Sequence, residues 1–200
     1  MGHAAHFNLA NLRTRYGLGV FWETGTGGGD SVQAALDAGF PSVISAEIVR
    51  EIHVAAQGRF RDDPRVSLQF GSSSRWFPNA RFIPERILFW LDAHLEGIGY
   101  TTTDAWAQPD IDLRLPLEQE LLTIVADRPA GQDVILIDDA RLYVEGPYGG
   151  GPLPAWAQTL PPERRNIDFI YRLLNTTHEI NIDYADEGYV VCLPRGGTCP

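Results

Sequence analysis

The sequence predicts an α/β fold: a three-layer sandwich on a mostly parallel, seven-stranded sheet with a C-terminal antiparallel β-hairpin. Three observations carry this. Short apolar runs alternate with amphipathic segments along most of the chain, the pattern of parallel strands joined by helical crossovers. A glycine-dense turn, Gly25 to Gly29, follows the first apolar run and opens a helical segment, as a ligand-binding strand–loop–helix unit requires. The chain ends in two strand-like runs joined through Asp186-Glu-Gly188, which reads as a hairpin.

Residues 7–15 predict a short leading helix, ended by Gly17 and Gly19. Residues 20–22 form the first strand and run into the glycine loop. Asp30-Ser31 offers a cap for a helix through Ala38, stopped by Gly39. The second strand is 42–47, followed by a helix to about Arg59. The third strand, 66–70, ends in Gly71-Ser-Ser-Ser74. The uninterrupted apolar run Ile87-Leu-Phe-Trp-Leu91 is a central strand buried on both faces. Residues 97–115 are polar and without a clear period, and lead to a helix over 116–126 with proline in its first turn. Residues 133–137 are the fifth strand, 144–162 a Gly- and Pro-dense loop, and 167–174 the last helix. Residues 179–184 and 189–193 are the strands of the hairpin.

Two hundred residues suit one domain, 1–200, with no internal repeat and no linker long enough to divide it. The formal net charge is −10, and all sixteen basic residues are arginine. An acidic chain of this kind disfavours nucleic acid as a partner, which calls for a basic patch or stripe. No apolar run approaches the ~20 residues that span a bilayer, and the first residues carry neither a secretory nor a myristoylation pattern. A cytoplasmic location is therefore expected. Of the two cysteines, Cys192 lies in a core-like run and Cys199 near the end, so neither a disulfide nor a zinc site is expected.

The loop Glu23-Thr-Gly-Thr-Gly-Gly-Gly29 carries the chemistry. Glycines here let backbone approach a ligand closely, because no Cβ intervenes. Glu23 sits where the strand meets the loop, and a carboxylate there repels the pyrophosphate of a dinucleotide. An ammonium and a sulfonium, by contrast, suit it. Glu47, at the end of the second strand, stands near the offset expected for an acid that binds a ribose diol, or else caps the next helix.

The acid-x-Gly-x-Gly-x-Gly pattern resembles the first motif of class I S-adenosylmethionine-dependent methyltransferases, and five β/α units closed by a hairpin resemble their Rossmann-like fold. The resemblance implies S-adenosylmethionine as cofactor, held by Glu23, Gly25, Thr26, Gly27 and Gly29, with Glu47 on the ribose and Asp92 at the end of the fourth strand. It places Ser72 near the adenine, where the family often has an acid. Trp76 either stacks on the base or belongs to the core.

Ligands of open α/β sheets sit outside the carboxyl ends of the strands. The fourth strand ends Asp92-Ala-His94 and the fifth Asp138-Asp-Ala-Arg141, and as neighbours they gather three carboxylates at one rim. These repel one another unless protonated, paired with Arg141 or bridged by a metal such as Mg²⁺. The arrangement resembles bacterial relatives of the macrocin-type sugar O-methyltransferases. That resemblance implies a divalent metal on Asp92, Asp138 and Asp139, and Asp92 or His94 as the base. Arg141 and His94 depart from that pattern, and a salt bridge to Arg141 with a turn is the alternative account of the Asp pair, metal binding being slightly preferred.

The expected activity is O-methylation of a small hydroxylated acceptor such as a sugar. Its walls would come from 101–115 and the 146–154 loop, with Tyr100, Trp106, Tyr143, Tyr148 and Trp156 packing on the acceptor or anchoring loops. An NAD-binding oxidoreductase and a non-catalytic scaffold with the same fold are the alternatives. Self-association stays open.

Overall fold

The computed structural model describes residues 3–94, 111–151, 153 and 157–196. The leading helix α1 (Leu9–Tyr16) is capped by Asn8, whose side chain accepts from Asn11 N at 2.9 Å, and ends on Gly17 in the left-handed region at φ 63°. Gly17 lets the chain reverse there without a Cβ clash. Strand β1 (Leu18–Thr24) is longer than its apolar core suggests, because Glu23 and Thr24 continue the ladder into the loop.

Helix α2 (Asp30–Asp37) follows the loop. Its cap is Gly29 at φ 80°, with no side-chain cap bond, which corrects the expectation of an Asp30-Ser31 cap. Asp30 instead lies in the first turn, where an acid suits the positive helix end. Strand β2 (Ser42–Glu47), α3 (Arg50–Phe60) and β3 (Val66–Phe70) fall where their periodicity predicts. A short helix α4 (Ser73–Trp76) and a 3-10 segment (Phe77–Phe82) then cross to β4 (Arg86–Leu91), in a stretch read only as a serine-rich loop. Then come α5 (Ile111–Arg114), α6 (Leu117–Asp127), β5 (Val134–Ile137), α7 (Asp168–Leu174), β6 (His178–Asp183) and β7 (Tyr189–Pro194).

The seven strands form one sheet in the order β3-β2-β1-β4-β5-β7-β6. The first five are parallel, and β7 runs antiparallel to both β5 and β6. The strand order reverses between β1 and β4, so the ligand crevice of such sheets lies at their carboxyl ends. β4 shows why a continuous apolar run marks the centre. Ile87, Phe89 and Leu91 enter the core under α6 and α7, while Leu88 and Trp90 enter the one under α1 and α2. Cys192 is buried opposite Ile135, as its apolar surroundings predict.

At the amino ends of the strands, Arg128 and Asp133 form a buried fork pair at 2.7 and 2.9 Å. The Arg128 guanidinium also donates to the carbonyls of Ala80, Ile83 and Glu85, and Asp133 accepts from Ile87 N. Every donor of the guanidinium is thereby used, the condition under which a buried charge is tolerated. Among the described residues, no helix is long and apolar enough to cross a membrane.

Candidate active site

The glycine loop leaves β1 under tight constraint. Gly25 adopts φ 81°, and a Cβ there would stand 2.6 Å from the Asp92 carbonyl oxygen, so only glycine lets β1 and β4 approach at this point. Asp92 N, in turn, donates to the Thr24 carbonyl at 3.2 Å and to Thr24 Oγ1 at 3.1 Å. Gly27, at φ 50°, differs: a Cβ there would meet nothing within 4 Å.

Glu23 is 1% exposed. Ser45 Oγ donates to it at 2.6 Å, and Thr26 Oγ1 lies 2.6 Å from the same serine, so loop and strands are tied by a chain of hydroxyls. Burial pushes the Glu23 carboxyl up to about 8, against the pull of Ser45 and Ser31. Glu47 is also buried, and accepts from Gly27 N at 3.1 Å and Val49 N at 2.8 Å. It therefore holds both the loop and the start of α3, with burial raising its carboxyl above the usual range despite these bonds. Ser72 stands at the end of β3, its hydroxyl 3.0 Å from Ser74 Oγ. Trp76 Nε1 donates to the Phe70 carbonyl at 3.2 Å, and its ring packs against the core, so its observed contacts are internal.

The rim formed by β4 and β5 brings Asp92, His94, Asp138 and Asp139 together. His94 Nδ1 is 3.4 Å from Asp92 Oδ1, and its Nε2 pairs with Asp139 Oδ2. Asp139 Oδ1 lies 3.2 Å from Arg141 Nε. Asp138 accepts from Asp139 N at 2.8 Å. Their titration follows from these neighbours. Burial would raise Asp139, but His94 and Arg141 overcome it and hold the carboxyl below its ordinary value. Burial, and then the Asp139 charge, pushes Asp138 up to about 7. Asp92, with about a quarter of its side chain exposed, is raised well above the carboxylate range by desolvation and then by Asp138.

This geometry does not support the metal expectation. Among the described residues, no group of three or more His, Cys, Asp or Glu side chains is placed to hold an ion. The physical reason is the company of Asp139, whose two oxygens face an imidazole and a guanidinium, the places a divalent cation would need. The set Asp92, Asp138 and Asp139 does not fit a metal here, and the salt bridge to Arg141 is what forms.

Two acids of the site escaped the sequence reading. Glu120 is 1% exposed, and burial pushes it up to about 7 against the hydroxyls of Ser73 and Thr24. Its signal was present: it sits between Leu117, Leu121 and Ile124, on the buried stripe of α6. Glu187, in the hairpin turn, lies 3.7 Å from Arg141 Nη2 and is also buried. A turn acid is ordinarily solvated, so nothing in the sequence marks it. Tyr143 packs edge-on to Phe169, and Tyr148 donates to the Val144 carbonyl at 2.9 Å. Both anchor loops. Tyr100, Trp106 and Trp156 lie outside the described residues, as does most of the expected acceptor wall over 101–115.

No protein-family model matches the sequence, and no curated protein matches it. Solved structures do match. The methyltransferase PaMTH1 from Podospora anserina, bound to S-adenosylhomocysteine (SAH), superposes with TM-score 0.63 at 13% identity, over 96% of this chain and 77% of its own. An O-methyltransferase from Bacillus cereus in complex with SAH gives 0.57 at 13%, covering 96% and 80%. TomG from Streptomyces achromogenes, an O-methyltransferase of tomaymycin synthesis in complex with S-adenosylmethionine, gives 0.55 at 16%, covering 96% and 78%. At these identities the likeness is one of fold, and it is the seven-stranded fold that the glycine motif and the terminal hairpin imply.

Proposed function

We propose that this chain, acting as one domain, is an S-adenosylmethionine-dependent O-methyltransferase for a small hydroxylated acceptor such as a sugar. The observation that carries the reading is Glu23, a buried acid under the glycine loop at the point where the strand order reverses. A cationic ligand draws that acid into its carboxylate form, and a pyrophosphate gains no such attraction. The fold shared with proteins that bind S-adenosylmethionine or SAH supports the same choice.

In this reading the loop from Gly25 to Gly29 cradles the methionine part of the cofactor. Glu23 supplies negative charge beneath it, while Thr26 holds the loop to Ser45. Glu47, held at the end of β2 by the backbone N–H groups of Val49, Gly27, Ile48 and Thr26, exchanges one of them for the ribose hydroxyls. Ser72 meets the adenine edge, and Asp92 closes the site from β4.

The reaction is an in-line displacement. The acceptor oxygen forms a bond to the methyl carbon as the carbon–sulfur bond breaks, and that electron pair stays on sulfur to give the neutral thioether. The enzyme aligns the two partners and removes the hydroxyl proton. Asp92 takes the proton, being the more exposed of the two candidates. His94 lies beside it to share the charge. Beyond Tyr143, a cleft of about 170 Å³ bounded by Phe169, Asn166, Arg164 and Glu118 offers an aromatic wall with polar groups, the lining a hydroxylated acceptor needs.

Calorimetry with SAH and with NAD tests the cofactor. Binding of SAH without NAD is expected, and the reverse would overturn the reading. Transfer of a labelled methyl group to a panel of sugars and other hydroxylated compounds then tests the acceptor class.

A further inference from the structure

Asp139 and Asp186 are the two non-glycine residues with left-handed backbone among those described, at φ 50° and 49°. Such conformations cost free energy and persist where surrounding structure enforces them. Here the two strained loops hold each other. Ala140 N donates to the Gly188 carbonyl at 2.9 Å, and Arg141 N to the Glu187 carbonyl at 3.2 Å. The glycine-dense loop docks on the same turn: Gly149 N donates to the Tyr184 carbonyl at 3.2 Å, and a Cβ on Gly150 would stand 2.8 Å from the Asp186 backbone. The hairpin closes the sheet and also packs its tip into the rim of the site.

The side chains continue what the backbone begins. From the turn inward, acidic and basic side chains alternate through Glu187, Arg141, Asp139, His94 and Asp92. Arg141 is fixed between two buried acids, and Asp139 is fixed by Arg141. The Asp139 carboxylate then faces one ring nitrogen of His94, which fixes the tautomer and the ring plane. The other nitrogen is left toward Asp92.

We propose that Arg141 and Glu187 are positioning residues, through which the β6–β7 turn holds Asp139 against His94 and sets the orientation of the imidazole beside Asp92. The role of that imidazole in methyl transfer rests on the function proposed above; the wiring itself does not. Histidine side-chain ¹H–¹⁵N correlation spectra of the full chain, with His94 assigned by the signal lost in His94→Gln, read the wiring directly. In the native protein His94 shows a protonated, hydrogen-bonded Nε2, and Asp139→Asn displaces that signal. Glu187→Gln removes the charge that faces Arg141 and Arg141→Lys removes the planar guanidinium between the two acids, so each displaces the same signal. Exchange of the Nε2 proton rises by about tenfold, the protection of one hydrogen bond. SAH affinity stays within about threefold, since the described contacts of both residues lie among Asp139, Gly150 and each other, and a difference that small is under 1 kcal/mol. His94 nitrogen shifts identical to the native protein in both variants would overturn the proposal. Failure of the native protein to bind SAH would instead sink the methyltransferase reading and leave the His94 signals to decide the wiring.

Discussion

His94 stands between two carboxylates, with Nδ1 3.4 Å from Asp92 Oδ1 and Nε2 paired to Asp139 Oδ2. The two acids are unequal. Asp139 is buried and held low by His94 and Arg141, whereas Asp92 is partly exposed and raised. If Asp92 takes the acceptor proton, Asp92→Asn lowers kcat for methyl transfer by about 10²- to 10⁴-fold, the usual weight of a general base. His94→Gln lowers it less, because it removes the neighbour of the base and leaves the base in place. A steady-state comparison of both variants on an acceptor from the hydroxylated panel checks this order; a larger loss in His94→Gln would make the imidazole the base.

Glu23 links binding to pH. Its carboxyl, pushed up to about 8 by burial, is a neutral acid at pH 6–7 in the free protein. A cation beside it favours the carboxylate, so binding S-adenosylmethionine releases a proton and strengthens as pH rises toward 8. The slope approaches a factor of ten per pH unit where release is complete. Calorimetry in buffers of different ionisation enthalpy counts that proton. Glu23→Gln is expected to abolish the release and weaken binding; an unchanged proton count would remove Glu23 from contact with the cation.

The same raised groups set how stability depends on pH. Glu23, Glu120 and Asp138 all have folded values above their ordinary ones. The folded chain binds more protons than the unfolded one between about pH 4.5 and 8, so stability is greatest below that window and falls as pH rises through it. Asp139 and Asp183 are depressed, and their contribution is lost on the acid side as pH falls through their folded values. A higher Tm near pH 5 than at pH 8.5 is expected in scanning calorimetry. Glu120→Gln should narrow the gap by raising Tm at pH 8.5, since a buried carboxylate no longer has to form. A Tm that rose from pH 5 to pH 8.5 would contradict this assignment.

Most of the sheet was legible because burial on both faces leaves an unmistakable run, as in Ile87 to Leu91. The glycine loop was legible because positive φ demands glycine at Gly25, Gly27 and Gly29. The helix over Ser73–Trp76 was not, since four residues hold no period and its stability comes from contact with α6 and the neighbouring 3-10 segment. The rim failed differently. The residues Asp92, His94, Asp138 and Asp139 were all found, but which cation faces Asp139 depends on where Arg141 turns. That turn depends on Glu187, 46 residues further on. Sequence spacing carries no trace of such a contact.

Arg128 and Asp133 offer a test of the fold apart from the site. Removing one member of a fully bonded, buried pair leaves an uncompensated charge, and costs about 3–5 kcal/mol. Arg128→Ala is expected to lower the unfolding free energy by that amount, read as a lower denaturation midpoint with no change in slope. A loss below about 1 kcal/mol would mean that water reaches the pair, as at surface salt bridges.

Gly25 and Gly27 separate folding from binding within one loop. Both have positive φ, so alanine at either is strained by about 1 kcal/mol or more. At Gly25 the new methyl would also strike the Asp92 carbonyl at 2.6 Å, so Gly25→Ala should destabilise the fold and disturb the β1–β4 junction together. At Gly27 the methyl would enter open space. Gly27→Ala should therefore lower stability by little more than the backbone strain. If that space is where the cofactor lies, the same methyl stands in its way, and SAH affinity should fall by at least tenfold, about 1.4 kcal/mol. Chemical denaturation and calorimetry on the single variant give both numbers. A variant as stable as expected that still bound SAH like the native protein would move the cofactor off the Gly27 side of the loop. Glu23 would then serve the loop alone.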